Sequence, residues 1–204
     1  MSSSEDILDF WFEGVDDATP IDKHKRPFQK WFTKDALLDR EIRERFESDL
    51  NGALAGEYKE WEQAPRDALA LILLCDQLTR NMYRDTPKMF AGDVLAQELA
   101  LRLTSGQKER TLNFIERVFV YMPLMHAEAI KAQRLSVGYF AELVEESKKN
   151  NPGNTHYYSY SWDYANRHYA IIERFGRFPH RNAVLDRLST PEEIEFLKKP
   201  GSGF

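Results

Sequence analysis

The run Ala68-Leu69-Ala70-Leu71-Ile72-Leu73-Leu74-Cys75 is apolar on every side of a helix, which is typical of a helix that other helices enclose. Pro65 suits the first turn of this helix, and the run is too short to cross a bilayer. Apolar residues also recur in steps of four from Leu38 to Leu54, and no stretch shows the alternation of a strand. The sequence therefore predicts an all-α fold with this helix at its centre.

Helix start and stop signals divide the chain into about eight to ten helices with short connections. Pro123 is predicted to begin a long helix, and a further helix is expected from about Tyr157 to Phe175, with Gly176 at its end. The segment Thr190-Pro191-Glu192-Glu193 is a capping box that begins the last helix. Since no linker rich in proline, glycine or serine interrupts the pattern, we expect a single domain over 1–204 with frayed ends at 1–5 and 199–204.

The charge balance argues against nucleic acid and membrane surfaces as partners. The 204 residues include 28 Lys and Arg against 33 Asp and Glu, a net charge of −5, so there is no overall positive field to attract polyanions. One cysteine permits no intrachain disulfide, and the N-terminal sequence lacks the segments of a signal peptide. We therefore expect a cytoplasmic protein with no nucleic acid and no membrane partner. The oligomeric state is left open.

Polar side chains interrupt helix faces that are otherwise apolar. Asp76 and Arg80 continue one face of the buried helix as an ion pair. His126 and Gln133 fall on the inward line of the predicted long helix, and His168 lies on an aromatic face of the next. A lone histidine in such a position is more often a packed core residue than a catalyst, but two on neighbouring helices can face each other. These residues are therefore either a structural network or a site.

Positive charge is concentrated in the segment 174–182 of an acidic protein, which contains Arg174, Arg177, His180 and Arg181. The dipole at a helix C-terminus explains the first two arginines but not Arg181. Because the arginine fork suits carboxylate and phosphate, Arg80, Arg84, Arg177 and Arg181 would form an anion clamp if the fold brought them together.

Other motifs argue against metal and cofactor chemistry. His126 and Glu128 are two residues apart, which on a helix points them to different sides, so we predict no metal site there. A glycine-rich phosphate loop, G-x-S-x-G and CxxC are missing from the sequence, and we expect no cofactor. Cys75 is expected to pack as a small buried hydrophobe.

Three ordered motifs and both ends of the chain carry a family resemblance. The motifs are Asp76-Gln77-Leu78-Thr79-Arg80-Asn81-Met82-Tyr83-Arg84-Asp85-Thr86-Pro87, Tyr121-Met122-Pro123-Leu124-Met125-His126-Ala127-Glu128 and Arg174-Phe175-Gly176-Arg177-Phe178-Pro179-His180-Arg181-Asn182, with Ile7 to Phe12 and Thr190 to Leu197 at the ends. At these residues the chain resembles the bacterial family known as domain of unknown function 924. The resemblance implies a single all-helical domain of antiparallel helices in a tetratricopeptide-like arrangement, with no established activity.

The motif positions of that family correspond here to Asp76, Arg80, Asn81, Arg84, His126, Glu128, Gln133, His168, Arg177, His180, Arg181 and Asn182. Two positions depart from the pattern, with Thr79 where proline is expected and Ala127 where serine is common. The second departure argues against a hydroxyl role beside His126.

The leading hypothesis is a small-molecule site for an anionic ligand where these segments converge. In an enzyme, His126 or His168 would be the general base, oriented by Asp76 or Glu128, in a hydrolysis or another proton transfer. The ligand-binding residues would be Arg80, Asn81, Arg84, Gln133, Arg177, His180, Arg181 and Asn182. One alternative is a helical interaction module that binds a peptide carboxylate. Another is a structural network that fixes helix packing.

Overall fold

The computed structural model describes residues 2–203, and their regular structure is helical, with no strand among them. The α-helices are α1 (Ser4–Phe12), α2 (Phe28–Phe32), α3 (Ala36–Leu54), α4 (Pro65–Ile72), α5 (Thr79–Met82), α6 (Asp93–Ser105), α7 (Phe114–His126), α8 (Ile130–Asn150), α9 (Thr155–Phe175) and α10 (Pro191–Leu197). Short 3-10 helices lie at Lys59–Glu62, Pro87–Phe90, Lys108–Thr111, Pro152–Asn154 and Pro179–Arg181. The all-α prediction is confirmed.

Helix α4 lies at the centre of the fold, as its apolar sequence predicts. Residues 68–75 are at most 2% exposed, and α4 packs against α1, α6 and α7. Around it, Trp11, Phe46 and Phe119 are fully buried in one continuous core. Burial of each such side chain stabilises the fold by about 1.5–3 kcal/mol, so this core is the rigid framework on which the polar residues stand.

A π-helical turn, Leu73–Leu78, joins α4 to α5 without a break in the helix. At its end the Thr79 hydroxyl donates to the carbonyl of Leu74, five residues earlier, over 2.7 Å. Such turns are rare and are frequent at functional sites. This one carries Asp76 into the interior.

The start of α6 lies directly against the backbone of this π turn. A Cβ atom at Gly92 would stand 2.4 Å from the carbonyl oxygen of Cys75, a distance that no side chain can accept. Gly92 therefore permits a close approach of two backbones. Its consequence is that Asp93, the first residue of α6, is brought beside the π turn.

The prediction that Pro123 begins a helix is wrong. Pro123 lies inside α7, which runs to His126, and α8 is a separate helix. The side-chain amide of Gln133 donates to the carbonyl of Met125 over 2.6 Å, so a carbonyl at the end of α7 finds its partner outside that helix. His126 and Gln133 thus stand on two helices rather than on one line.

Helices α7, α8 and α9 pack side by side in chain order. As predicted, α9 ends at Gly176, whose φ of 69° lies in the left-handed region. The capping box between Thr190 and Glu193 is also confirmed at the start of α10. The segment between these two points, which includes Arg181, is thereby turned back over α9.

At the N-terminus, the Ser2 backbone N–H and hydroxyl donate to the Asp49 carboxylate over 3.0 and 2.7 Å. At the other end, Ser202 donates to the carbonyl of Leu197 over 3.1 Å. Residues 1 and 204 of the predicted frayed ends lie outside the described residues. Between residues 2 and 203, no helix has both the length and the apolar character needed to cross a membrane.

Candidate functional site

A cavity of about 890 Å³ lies between the end of α5, helices α7 and α9, and the segment that follows Phe178. Its volume is within the range of small-molecule sites, roughly 300–1,000 Å³. The polar and charged residues of its wall are Gln77, Arg80, Arg84, Asp85, His126, Tyr157, Tyr160, Ser161, Tyr164, His168, His180 and Arg181. Five of the twelve predicted site residues line the cavity as one group, and Arg84 lies in the wall as well.

Asp76 and His126 form a hydrogen-bonded pair at this wall. His126 Nδ1 lies 2.7 Å from Asp76 Oδ1, and the Asp76 side chain is 1% exposed. Burial raises the pKa of Asp76, but the charge of Arg80 and the hydrogen bond with His126 together lower it further, so that its pKa lies below the usual range. Asp76 is therefore ionised and accepts the hydrogen of Nδ1, which makes Nε2 the ring nitrogen with the lone pair.

Arg80 connects this pair to Asp93. Arg80 Nη1 lies 3.2 Å from Asp76 Oδ1, and Nη2 lies 3.0 Å from Asp93 Oδ1. The second contact lacks hydrogen-bond geometry, and both of its atoms are buried without a hydrogen bond. An ion pair without that geometry lacks the added strength of a charge-assisted hydrogen bond, and burial raises the pKa of Asp93 above its usual value.

Arg181 reaches the same carboxylate from the segment after α9. Its guanidinium carbon lies 4.5 Å from the ring centre of Phe178 and 4.7 Å from that of Phe90. Nη1 is 3.7 Å from Asp93 Oδ2, longer than a hydrogen bond. Burial, with a further contribution from the Arg80 cation, lowers the pKa of Arg181 to about 10, so the side chain is charged at neutral pH.

Two further histidines stand beside this group. The His168 ring centre is 6.0 Å from that of His126, and its Nδ1 donates to the Tyr164 carbonyl over 2.8 Å. Burial and then the neighbouring His126 lower the pKa of His168 to about 3, while burial and then Arg181 lower the pKa of His180 to about 4. Both are neutral at pH 7. We name the following residues the cavity cluster: Asp76, Arg80, Asp93, His126, His168, His180 and Arg181.

Two of the predicted ligand-binding residues are held by α3 instead. Asn81 Nδ2 donates to Asp39 Oδ1 over 2.7 Å, and Arg84 makes two hydrogen bonds of 2.8 Å to the same carboxylate. Arg84 still lines the cavity, but its guanidinium is hydrogen-bonded to Asp39. Their observed role is to tie α5 to α3.

Gln133 and Glu128 brace the chain around His126 without entering the cavity wall. Besides its bond to α7, Gln133 donates to the Ala127 carbonyl over 2.7 Å. Glu128 accepts the Phe178 backbone N–H over 2.7 Å and pairs with Arg187 at 2.5 Å. The carboxylate that orients His126 is thus Asp76, and Glu128 instead fastens the segment that carries Arg181.

The remaining predicted residues form a separate structure, which we name the C-terminal clasp; its members are Arg174, Arg177, Asn182, Glu192 and Glu193. Arg177 makes hydrogen bonds of 2.7 and 2.8 Å to Glu193, and Arg174 pairs with Glu192 at 2.6 Å. Asn182 donates to Glu193 over 3.3 Å and to Ser189 over 3.0 Å. The expected four-arginine clamp is therefore not formed, because Arg177 is engaged here, away from the cavity wall.

Sequence reasoning missed Asp93 and Phe90. Asp93 was available only as a helix-start signal after Gly92, and nothing local relates it to Arg80 or Arg181. Phe90 lies between the two arginines, 5.7 Å from the guanidinium of Arg80 and 4.7 Å from that of Arg181. Within residues 2–203, the histidine, cysteine and acidic side chains do not gather in groups of three that could hold a metal ion.

Comparisons with known proteins agree with this architecture. A solved structure of a protein of unknown function from Agrobacterium tumefaciens is 34% identical and superposes with a TM-score of 0.78 over 96% of each chain. None of the curated proteins matches the sequence. The model of the family described as bacterial protein of unknown function (DUF924) matches residues 7–201. The chain therefore belongs to the DUF924 family of bacterial proteins.

Proposed function

We propose that this protein binds a small anionic ligand in the cavity and that the Asp76–His126 pair transfers a proton to or from it. The observation that carries the proposal is the buried, ionised carboxylate that orients a cavity-lining imidazole 2.7 Å away, beside Arg80 and Arg181. Buried pairs of this kind, in a cavity of this size, mark active sites in many enzymes.

The chemistry divides between the histidine and the arginine. His126 Nε2 acts as the general base, and Asp76 stabilises the imidazolium that forms when Nε2 takes a proton. Arg181 offsets the negative charge of the ligand or of an oxyanion that develops on it. The two reaction classes that need no more than this are hydrolysis and proton abstraction next to a carbonyl group.

Binding is tested by calorimetric titration of the protein with sodium benzoate and with inorganic phosphate. We expect Arg181→Met to weaken binding of the better anion at least tenfold, because it removes the cavity cation with the least complete pairing. Arg177→Met is the matched control, since this arginine stands four residues earlier but is engaged by Glu193. Equal affinities in both variants and the wild type would contradict the proposal.

Catalysis is tested with a panel of p-nitrophenyl esters and phosphates. His126→Asn should abolish any activity found, whereas His24→Asn, a change in the exposed loop before α2, should leave it unaltered. The pH profile of kcat/KM should show one group that must be deprotonated. Activity that survives in His126→Asn would remove this histidine from the mechanism.

A second candidate is a tetratricopeptide-like interaction module, favoured by the exposed aromatic residues at the cavity mouth. Phe32 is 43% exposed and Tyr160 is 45% exposed, and both belong to the cavity wall. A partner's C-terminal carboxylate would then take the place of the small anion. Binding of free C-terminal peptides from a peptide library, with no response to their amidated forms or to small anions, would select this function.

A further inference from the structure

The cavity has two chemically different ends. One end holds the cavity cluster, and the other lies at the exposed ring of Phe32 beside Phe28. Met89, Met122 and Met125 line the wall as well. Because methionine adapts its shape to what it contacts, this wall favours an apolar body of variable form.

A row of rings connects the two ends. Ring centres are 4.7 Å apart between Phe32 and Phe28, 6.4 Å between Phe28 and Tyr160, and 4.7 Å between Tyr160 and Tyr164. Tyr164 is then 6.4 Å from the ring of His168. Phe32 at the start of the row is 43% exposed and Tyr160 is 45% exposed, whereas His168 at the end of the row is 3% exposed. It therefore provides a continuous apolar path from solvent to the cavity cluster.

The charges at the buried end favour a single negative charge on the ligand. Arg80 and Arg181 lie against two carboxylates, Asp76 and Asp93. A dianion would place two further charges beside these acids, which is strongly unfavourable at low dielectric. A carboxylate brings one charge and matches the planar fork of Arg181.

From this arrangement we infer that the ligand is an amphipathic monocarboxylate, with its carboxylate at Arg181 and an aromatic or alkyl body along the row of rings. The inference rests on the proposed function and adds the ligand class to it. It also explains why a site for a small charged group has so large and apolar an entrance. A carboxylate alone would fill only a small part of the 890 Å³.

The test is a calorimetric series at mildly alkaline pH with acetate, hexanoate, 3-phenylpropionate and 5-phenylpentanoate, each beside its primary amide. Inorganic phosphate, which is mainly a dianion at that pH, is the dianion arm. We expect the dissociation constant to fall by up to about fourfold for each added methylene group. The amides should bind at least tenfold more weakly than the acids. Phosphate should bind more weakly than 5-phenylpentanoate.

Tyr160→Ser and Phe32→Ser shorten the exposed end of the row without opening the core. Each should weaken 5-phenylpentanoate severalfold and leave acetate unchanged, while Trp162→Ser, a change of a 40% exposed ring on the same helix, should alter neither. The inference is overturned if the affinity is flat along the series, equal for acid and amide, or highest for phosphate. If acetate or phosphate then still responds to Arg181→Met, the proposed function stands without it; if no anion binds, both fail.

Discussion

The C-terminal clasp and the cavity cluster contain the same kinds of charged residue but differ in how completely these are paired. In the clasp, Arg177 and Glu193 meet through two hydrogen bonds of 2.7 and 2.8 Å. In the cavity cluster, Arg181 stands 3.7 Å from Asp93, and the 3.0 Å contact between Arg80 and Asp93 lacks hydrogen-bond geometry. An arginine-rich motif therefore does not mark a site by itself. Incomplete pairing of charged side chains at the wall of a cavity is the feature that separates the two regions.

The largest effect is expected for Asp76→Ala in the cavity cluster. It removes a buried carboxylate and leaves the partly buried charge of Arg80 without one of its partners and His126 without its acceptor. The free energy of unfolding should therefore fall by about 3–5 kcal/mol. Urea titration at pH 7 with a check of the m-value measures this loss. Asp9→Ala, at an exposed position inside α1, should change the free energy of unfolding by less than about 0.5 kcal/mol. Similar losses in the two variants would show that Asp76 is no more important than a surface acid.

Gly92→Ala tests whether the close approach of α6 to the π turn maintains the cavity cluster. The new methyl group would stand 2.4 Å from a carbonyl oxygen, and the backbone shift that relieves it should cost about 1–3 kcal/mol. Gly138→Ala, inside α8 with no atom within 4 Å, should instead stabilise by roughly 0.5–1 kcal/mol. Both are measured by urea unfolding, and a neutral Gly92→Ala would contradict the tight contact.

The buried histidines make the cavity cluster sensitive to acid. The folded-state pKa of His168 is about 3, below the value of about 6.5 in an unfolded chain, so the unfolded state binds more protons between these values. The stability contributed by neutral His168 is thus present above about pH 6.5 and is lost as the pH falls towards 3. From pH 7 to pH 5, wild type should lose about 1–2 kcal/mol more than His168→Gln. Parallel curves would contradict a buried neutral imidazole, and exposed His24→Gln should follow wild type.

The smallest effect is expected in the clasp. Glu193→Gln removes the charge that accepts from Arg177 and should cost about 1 kcal/mol, with benzoate binding unchanged. The folded-state pKa of Glu193 is lowered to about 2, chiefly by its hydrogen bond with Arg177, so the stability it contributes in wild type is lost as the pH falls from about 4.5 towards 2. A weaker affinity for benzoate in this variant would show that the clasp and the cavity cluster are not independent.

The fold was predictable because its signals are local. The apolar run of α4, Gly176 and the capping box at Thr190 each determine their own segment. The prediction that Pro123 begins a helix was wrong because proline usually begins or breaks a helix, whereas here the surrounding core keeps it inside α7.

The site was predictable only in part, since pairing is a property of the tertiary structure. Six predicted residues break an apolar pattern or the local charge balance, and the structure brings them together. They are Asp76, Arg80, His126, His168, His180 and Arg181. Arg177 carried the same signal, but its partner Glu193 stands 16 positions later and on the far side of a turn. Asp93 carried only a helix-start signal, because its role in the cluster depends on the approach of α6 that Gly92 permits.

The π turn has a consequence for how the length of this segment can change. An α-helix advances by about 100° for each residue. Deleting one residue from a regular α-helix would rotate everything after it by that angle, but a π turn holds one residue more than an α-helical turn. Deleting one residue between 73 and 78 would therefore restore ordinary α-helical bonding and leave Arg80 close to its present orientation. The change would be confined to the turn itself, which carries Asp76 into the interior. The length of this segment is thus set by the position of Asp76 and not by the helices on either side.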